Sequence, residues 1–252
     1  MKKNDIKNYY ANVYDEEHRL SYGCDNRHLI ERIVKMYHYK GILKHIPNGA
    51  KILDISCGTG LYSIELSKMG YTVYACDLCE NHISKLKEKA SKLNLDIKAY
   101  VCDACDLPFE DNYFDFVILA GAVYHLPKDG KIKAIKEAVR VCRPQKHIMI
   151  DYLPRMHAEY QNVARYGELI SKENEIFSYD NTSDMLKYLE NMGVGTNDCF
   201  STDGITRLIS YKVNSMSKEQ FNRYVSFCIK QSFDYDIVDM GEHAIIDIIK
   251  IK

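Results

Sequence analysis

Short apolar runs alternate with amphipathic stretches through the first 150 residues. From Arg27 to Leu43 the apolar residues Leu29, Ile30, Ile33, Val34 and Tyr37 recur at helical spacing. After a turn at Pro47, Asn48 and Gly49 comes Lys51–Ile55, a buried-strand pattern. A glycine turn leads into a helix from Leu61 to Met69, closed by Gly70. Tyr71–Cys76 reads as a second strand and Ile97–Val101 as a third. Between them lies a lysine-rich helix, Asn81–Asn94, with Ile83, Leu86, Ala90 and Leu93 on one face. Phe114–Ala120, the strongest apolar run, is a fourth strand. Lys131–Cys142 is a helix ended by Arg143-Pro144, and His147–Tyr152 a fifth strand. Strands alternating with helices of about 10–15 residues are βαβ units. They predict an α/β fold: a doubly wound, mostly parallel sheet with helices on both faces.

The rhythm breaks after Pro154. Residues 155–175 read as helix with no strand behind them. Thr182 or Ser183 caps a helix to about Asn191, which Gly193 ends. Residues 198–213 read as short strands and turns, Ser217 caps a helix to about Gln231, and Ile245–Ile251 is a final strand. The expected organisation is an N-terminal helical cap over 1–44, a core over 45–154, a helical insert or lid over 155–195, and the last part of the sheet over 196–252.

The 252 residues include 34 basic and 35 acidic side chains, a formal charge of −1, and this balance argues against a nucleic-acid binder. No apolar core follows Met1-Lys2-Lys3, and no run approaches the ~20 apolar residues of a membrane span. The expectation is a cytoplasmic protein whose nine cysteines are reduced thiols.

The chemistry centres on Ile52-Leu53-Asp54-Ile55-Ser56-Cys57-Gly58-Thr59-Gly60, where a strand ends, the backbone turns on glycines and a helix begins. Such a turn lets a ligand touch main-chain N–H groups. Asp77 ends the next strand ~20 residues on, where a carboxylate can accept ribose hydroxyls. Asp103 follows the third strand. A dinucleotide site wants G-x-G-x-x-G, but Gly58-Thr59-Gly60-Leu61-Tyr62-Ser63 lacks the last glycine, and Asp54 would repel pyrophosphate. A carboxylate there suits a cationic, phosphate-free nucleoside such as S-adenosylmethionine.

On these residues the chain resembles the Rossmann-fold, class I S-adenosylmethionine-dependent methyltransferases of small-molecule type. The resemblance covers about residues 45–153 and continues through Asp103-Ala104-Cys105-Asp106-Leu107-Pro108-Phe109, Phe114–Ile118, Tyr124-His125-Leu126 and Val139–Pro144. It implies a seven-stranded Rossmann-like sheet. It also implies that Asp54 and the Ser56-Cys57-Gly58-Thr59-Gly60 backbone hold the methionine end. Asp77 would bind the ribose with Leu78 against the adenine. Asp103 and Ala104 would pair with the adenine edge, and Ala120 would touch the amino end. Two departures stand out: the family has glycine where Ser56 and Gln145 stand. Serine is small, so the turn survives if Ser56 has a negative φ.

Tyr124 and His125, after the fourth strand, are the candidate catalytic residues, His125 as the base because its ordinary pKa suits proton removal near neutrality. The segment Tyr9–Arg19 looks like the cap of related enzymes. Tyr10 or Tyr14 would cover the sulfonium, and Arg19 would pair with the cofactor carboxylate. Asp151 and Tyr152 end the fifth strand, and Glu242-His243 precede the last.

Cys76-x-x-Cys79 and Cys102-x-x-Cys105 are spaced like zinc ligands. Asp77 and Asp103 sit inside these pairs at strand ends, so no metal is expected. The function expected is methyl transfer to a small-molecule acceptor. The alternatives are an RNA-modifying methyltransferase, a NAD-dependent oxidoreductase and a non-catalytic cofactor-binding protein.

Overall fold

A computed structural model describes residues 3–12, 26–166 and 177–252. Among them seven strands form one sheet: β1 (Lys51–Ile55), β2 (Thr72–Asp77), β3 (Ile97–Val101), β4 (Phe114–Leu119), β5 (Cys142–Tyr152), β6 (Val194–Ser201) and β7 (Ala244–Lys250). Their spatial order is β3-β2-β1-β4-β5-β7-β6. The first five run parallel, and β7 is antiparallel to both β5 and β6.

The continuous apolar runs are explained by burial on both faces. Ile52, Phe116, Ile118 and Met149 pack on α2 (Asn26–Leu43) through Met36, Tyr39 and Leu43. Their neighbours Leu53, Val117, Leu119 and Ile148 face the other way, onto Ala134, Ile135 and Ala138 of α5 (Lys128–Val141). Two further helices follow strands: α3 (Leu61–Lys68) after β1 and α4 (Glu80–Lys92) after β2. The chain moves outward from β1 to β3, then crosses back to β4. The order therefore reverses between β1 and β4, and a crevice opens there at the carboxyl ends.

The remaining described helices are α1 (Lys3–Asn12), α6 (Arg155–Tyr166), α7 (Thr182–Leu189), α8 (Ser210–Asn214) and α9 (Lys218–Gln231). Ser217 caps α9 as expected, accepting the Gln220 N–H. For α7 the cap is Asn181 rather than Thr182 or Ser183, closing a capping box with Asp184. Met185 and Leu189 of α7 are buried in the same apolar cluster as Tyr152 and Ile246, so this helix is built into the core. β6 is one strand from Val194, where the sequence suggested fragments from 198. β5 begins at Cys142, earlier than the expected His147. Its pairing with β4 slips between Phe114 and Phe116, and this irregularity accommodates Pro144.

The turn forms although Ser56 does not meet the condition of a negative φ. Ser56 stands at φ 61° and Gln145 at φ 60°. Both residues where the family has glycine therefore sit in the left-handed region, where a side chain costs roughly 1–2 kcal/mol.

Candidate functional site

Register places the candidate residues in a row. Ile55 pairs with Cys76 of β2 and Leu119 of β4, and Leu119 pairs with Ile150 of β5. The next residues, Ser56, Asp77, Ala120 and Asp151, therefore emerge along one edge of the sheet. Asp103 follows β3 at the same edge. His243 immediately precedes β7, whose Ala244 pairs with Tyr152.

A cavity of about 770 Å³ runs along this edge. It touches Asp103 and Asp77 at one end, Asp54 and Ser56–Gly58 in the middle, and Asp151 and His243 at the other. Leu78, Ala104, Ala120, Tyr124, His125 and Tyr10 also line it. Gly60, at φ 91°, lies behind the turn, where an added Cβ would come within 2.1 Å of Leu86 Cδ1. Of the remaining candidates, Tyr14 and Arg19 lie outside the described residues.

The turn is braced from several sides. Gly58 N–H donates to Asp77 Oδ2 at 3.0 Å, and Cys79 N–H to Oδ1 at 2.8 Å. His82 Nδ1 lies 3.2 Å from the same Oδ1. The Ser63 hydroxyl donates to buried Asp54 at 2.6 Å. Lys89 donates to Thr59 Oγ1 at 2.7 Å, so this lysine of the predicted basic helix face secures the glycine turn. Asp103 turns on itself, accepting the Cys105 N–H at 3.0 Å. Asp77 is thus held in a fixed orientation, and its Oδ2 accepts one of the roughly two hydrogen bonds an ionised oxygen can take.

This donor set fits S-adenosylmethionine. Carboxylates at Asp77 and Asp103 suit diol and amine donors, and Asp54 suits cationic groups.

Aromatic rings roof the middle of the cavity. Tyr10 Oη lies 2.7 Å from His125 Nε2. Tyr9 meets Phe177 edge-on at 6.0 Å, and Phe177 lies 5.1 Å from the His125 ring. Burial pushes the Tyr124 phenol well above its ordinary range, so it stays protonated.

Sequence reasoning passed over the far wall. Arg27, His28, Glu31 and Lys35 of α2 all face the cavity. Arg27, Glu31 and Lys35 are buried despite their charges. Lys35 donates to Glu31 at 2.6 Å and to Asp151 at 2.8 Å. Asp151 also lies 3.0 Å from His243 Nδ1. Burial opposes the ionised forms, but His243 and Lys35 hold the Glu31 carboxyl well below its ordinary range. Asp151 and Glu31 likewise keep Lys35 charged. Glu31, Asp151 and His243 bring three ligand-type atoms within 4.8 Å of one another, and the Lys35 ammonium supplies the positive charge between the two carboxylates. The cysteines described are free thiols. Hydrogen bonding to Cys102, with burial, pushes the Cys76 thiol up.

Residues 52–145 match the family described as methyltransferase domain. This segment is similar to methyltransferase domains. A demethylmenaquinone methyltransferase of Staphylococcus aureus is 32% identical over 147 residues, 53% of this chain and 60% of the relative. The chain thus spans about 60% of the length of the curated relatives it matches. Among solved structures, magnesium protoporphyrin IX methyltransferase from Synechocystis, with bound SAH, superposes with TM-score 0.64 at 15% identity, covering 99% of this chain and 100% of that one. The 4+2 cyclase SpnF superposes with TM-score 0.60 at 16% identity, covering 88% and 81%. At such identities the likeness is one of fold, and a cyclase among these neighbours means that the methyltransferase fold alone does not give the reaction.

Proposed function

We propose that this protein transfers a methyl group from S-adenosylmethionine to a small-molecule acceptor. The observation that carries the reading is the single cavity that joins Asp77, the Ser56–Gly58 turn and the wall at Tyr124, Asp151 and His243. A nucleoside seated at Asp77 and Asp103 has its methionine end over β1 and β4, leaving the β5–β7 end for a second molecule.

Bound S-adenosylmethionine supplies a methyl group on a good sulfonium leaving group. The protein's part is to hold the acceptor in line and to exclude water, and positioning of this kind contributes much of the rate in such displacements. Asp54, Ser56, Cys57 and Gly58 form the methionine-end cradle, with Gly60 behind them allowing the tight turn, Asp77 and Leu78 the ribose and adenine wall, and Asp103 and Ala104 the adenine edge. Ala120 takes the amino end. Tyr10, with Tyr14 and Arg19 of the same segment, belongs to the cap over 1–44. Tyr124 and His125 form the wall facing the reacting methyl group. The segment 155–195, whose Phe177 meets that wall, is an insert that shapes the acceptor end. Phe177 of this segment at the cavity wall and the balanced net charge favour a small acceptor over RNA. No helix among the described residues is long and apolar enough to cross a membrane.

Calorimetry with S-adenosylmethionine, S-adenosylhomocysteine and NAD tests the reading. The first two bind at one equivalent and NAD does not. Binding of NAD alone overturns it.

A further inference from the structure

The acceptor end of the cavity is lined with buried charge. Arg27, Glu31 and Lys35 of α2 lie one helical turn apart on one face. Across from them stand Asp151 at the end of β5 and Glu242 and His243 at the start of β7, all touching the same cavity. Arg27 pairs with Glu242 and Lys35 with Glu31 and Asp151. Such a network is costly to bury. An apolar acceptor laid against it would leave the cost unrelieved, whereas a polar acceptor supplies hydrogen-bonding partners.

Within this network His243 has a distinctive arrangement. Its Nδ1 lies 3.0 and 3.2 Å from the two oxygens of Asp151. Its Nε2 has Glu31 Oε1 at 3.7 Å, beyond hydrogen-bond reach. The Asp151 carboxylate fixes the Nδ1–H tautomer and leaves the Nε2 lone pair as the proton acceptor, on a ring that lines the cavity. The Tyr124 ring lies 5.5 Å from the imidazole, edge to face, and holds its plane. By contrast, His125 Nε2 is already taken by Tyr10.

Building on the methyl-transfer reading, we propose that His243, oriented by Asp151, is the general base of the reaction, and that the acceptor is a polar molecule presenting an O–H or N–H group. The acceptor's proton passes to His243 Nε2, its electron pair forms the bond to the methyl carbon, and the carbon–sulfur pair stays on sulfur as a neutral thioether. The proton then leaves to solvent.

Several groups set the basicity of His243. Burial lowers its pKa, Glu31 and then Asp151 raise it, and Lys35 lowers it, with a net rise above the ordinary 6.5. Tyr124 stays neutral. Asp203, whose carboxylate accepts the Glu242 N–H at 2.9 Å, and the Arg27–Glu242 pair complete the charged surroundings. The base form therefore fills as pH rises through a value above 6.5, and the rate rises with it.

The test has three readouts on the full chain, for wild type, His243→Asn and Asp151→Asn. The first is the imidazole titration of His243 by NMR in the cofactor-free protein. The second is S-adenosylhomocysteine affinity by calorimetry. The third is S-adenosylhomocysteine release, as a function of pH, with catechol, hydroquinone and ethanolamine as probes. The expected result is a wild-type imidazole titrating above 6.5 and a lower value in Asp151→Asn. Release falls by about 10²–10⁴-fold in His243→Asn, with the acid limb lost and cofactor affinity kept. Three results overturn the proposal: a His243→Asn protein that keeps wild-type turnover and acid limb, a wild-type imidazole titrating below 6.5, or no release with any protic probe. Should Asp151→Asn fail to fold, the His243→Asn turnover and the wild-type titration decide alone. Loss of cofactor binding in the wild type sinks the methyl-transfer reading itself and is seen separately in the calorimetry.

Discussion

Tyr10 Oη and His125 Nε2 stand 2.7 Å apart although 115 residues separate them in the chain. The same tyrosine ring meets His82 edge-on at 5.8 Å, and His82 in turn touches Asp77. One residue of α1 thus ties the turn after β4 to the helix after β2, across the crevice between them. Tyr10→Phe keeps the ring and removes a hydrogen bond that contributes about 0.5–1.5 kcal/mol. The expected effect is a roughly two- to tenfold loss of S-adenosylhomocysteine affinity, measured by calorimetry, with little change in melting temperature. An unchanged affinity would show that α1 does not cover the bound cofactor.

Asp77 carries more. Its two oxygens fix the Gly58 and Cys79 N–H groups, and the proposed ribose contact uses the remaining lone pairs. Asp77→Asn removes the charge and turns one acceptor into a donor facing an N–H group. Hydrogen bonds to charged groups contribute about 1.5–3 kcal/mol, so affinity should fall at least tenfold while the circular dichroism spectrum stays that of the wild type. Full retention of affinity would move the nucleoside elsewhere in the cavity.

The parallel sheet was legible because its central strands are mostly apolar, and such runs need two covered faces. The cofactor half was legible because its residues are consecutive: Asp54 to Gly60 form one turn, and Asp77 and Asp103 each end a strand. The acceptor half was not. Arg27, Glu31 and Lys35 recur every four residues, a pattern identical to a solvated helix face. Only the packing of α2, with Met36 and Tyr39 against the sheet and Ile30 and Val34 against α9, turns that charged face inward. Asp151 and His243 were visible as strand-end residues, but 92 positions apart nothing in the sequence pairs them. Ser56 misled for a different reason. Serine favours negative φ, and here the flanking strand and the Cys57 N–H bond to Cys76 O at 3.0 Å hold the backbone in the left-handed region.

That geometry makes Ser56→Gly informative. Glycine adopts φ 61° without steric cost, and the gain is offset by about 0.4–1 kcal/mol from the freer unfolded chain. The net expectation is a stabilisation of up to about 1 kcal/mol, or roughly 2–4 °C in melting temperature for a chain of this size. Ser56→Val, β-branched and confined to negative φ, should lower it. If both variants melt lower than the wild type, the serine side chain contributes something its backbone does not reveal.

His38 should control the acid side of stability. Its ring stacks on Phe200 at 3.5 Å, and Nε2 lies 2.8 Å from Ser232 Oγ. Burial lowers its pKa from 6.5 to about 4, with Asp198 opposing. A depressed folded-state value means that the stabilisation is present above 6.5 and is lost as pH falls towards 4. The drop corresponds to roughly 3 kcal/mol. Asp203 works the other way: burial, opposed by Arg27, raises its carboxyl to about 7, so its contribution is lost as pH rises through 7. The two effects overlap between pH 4 and 7, and a wild-type profile alone would hide both. His38→Phe keeps the stacking and removes the titrating group together with the hydrogen bond to Ser232, the latter a loss that does not vary with pH. Urea unfolding of both proteins across that range should show the variant gaining on the wild type as the solution is acidified. A difference that stays constant with pH would mean that the His38 ring is not neutral in the fold.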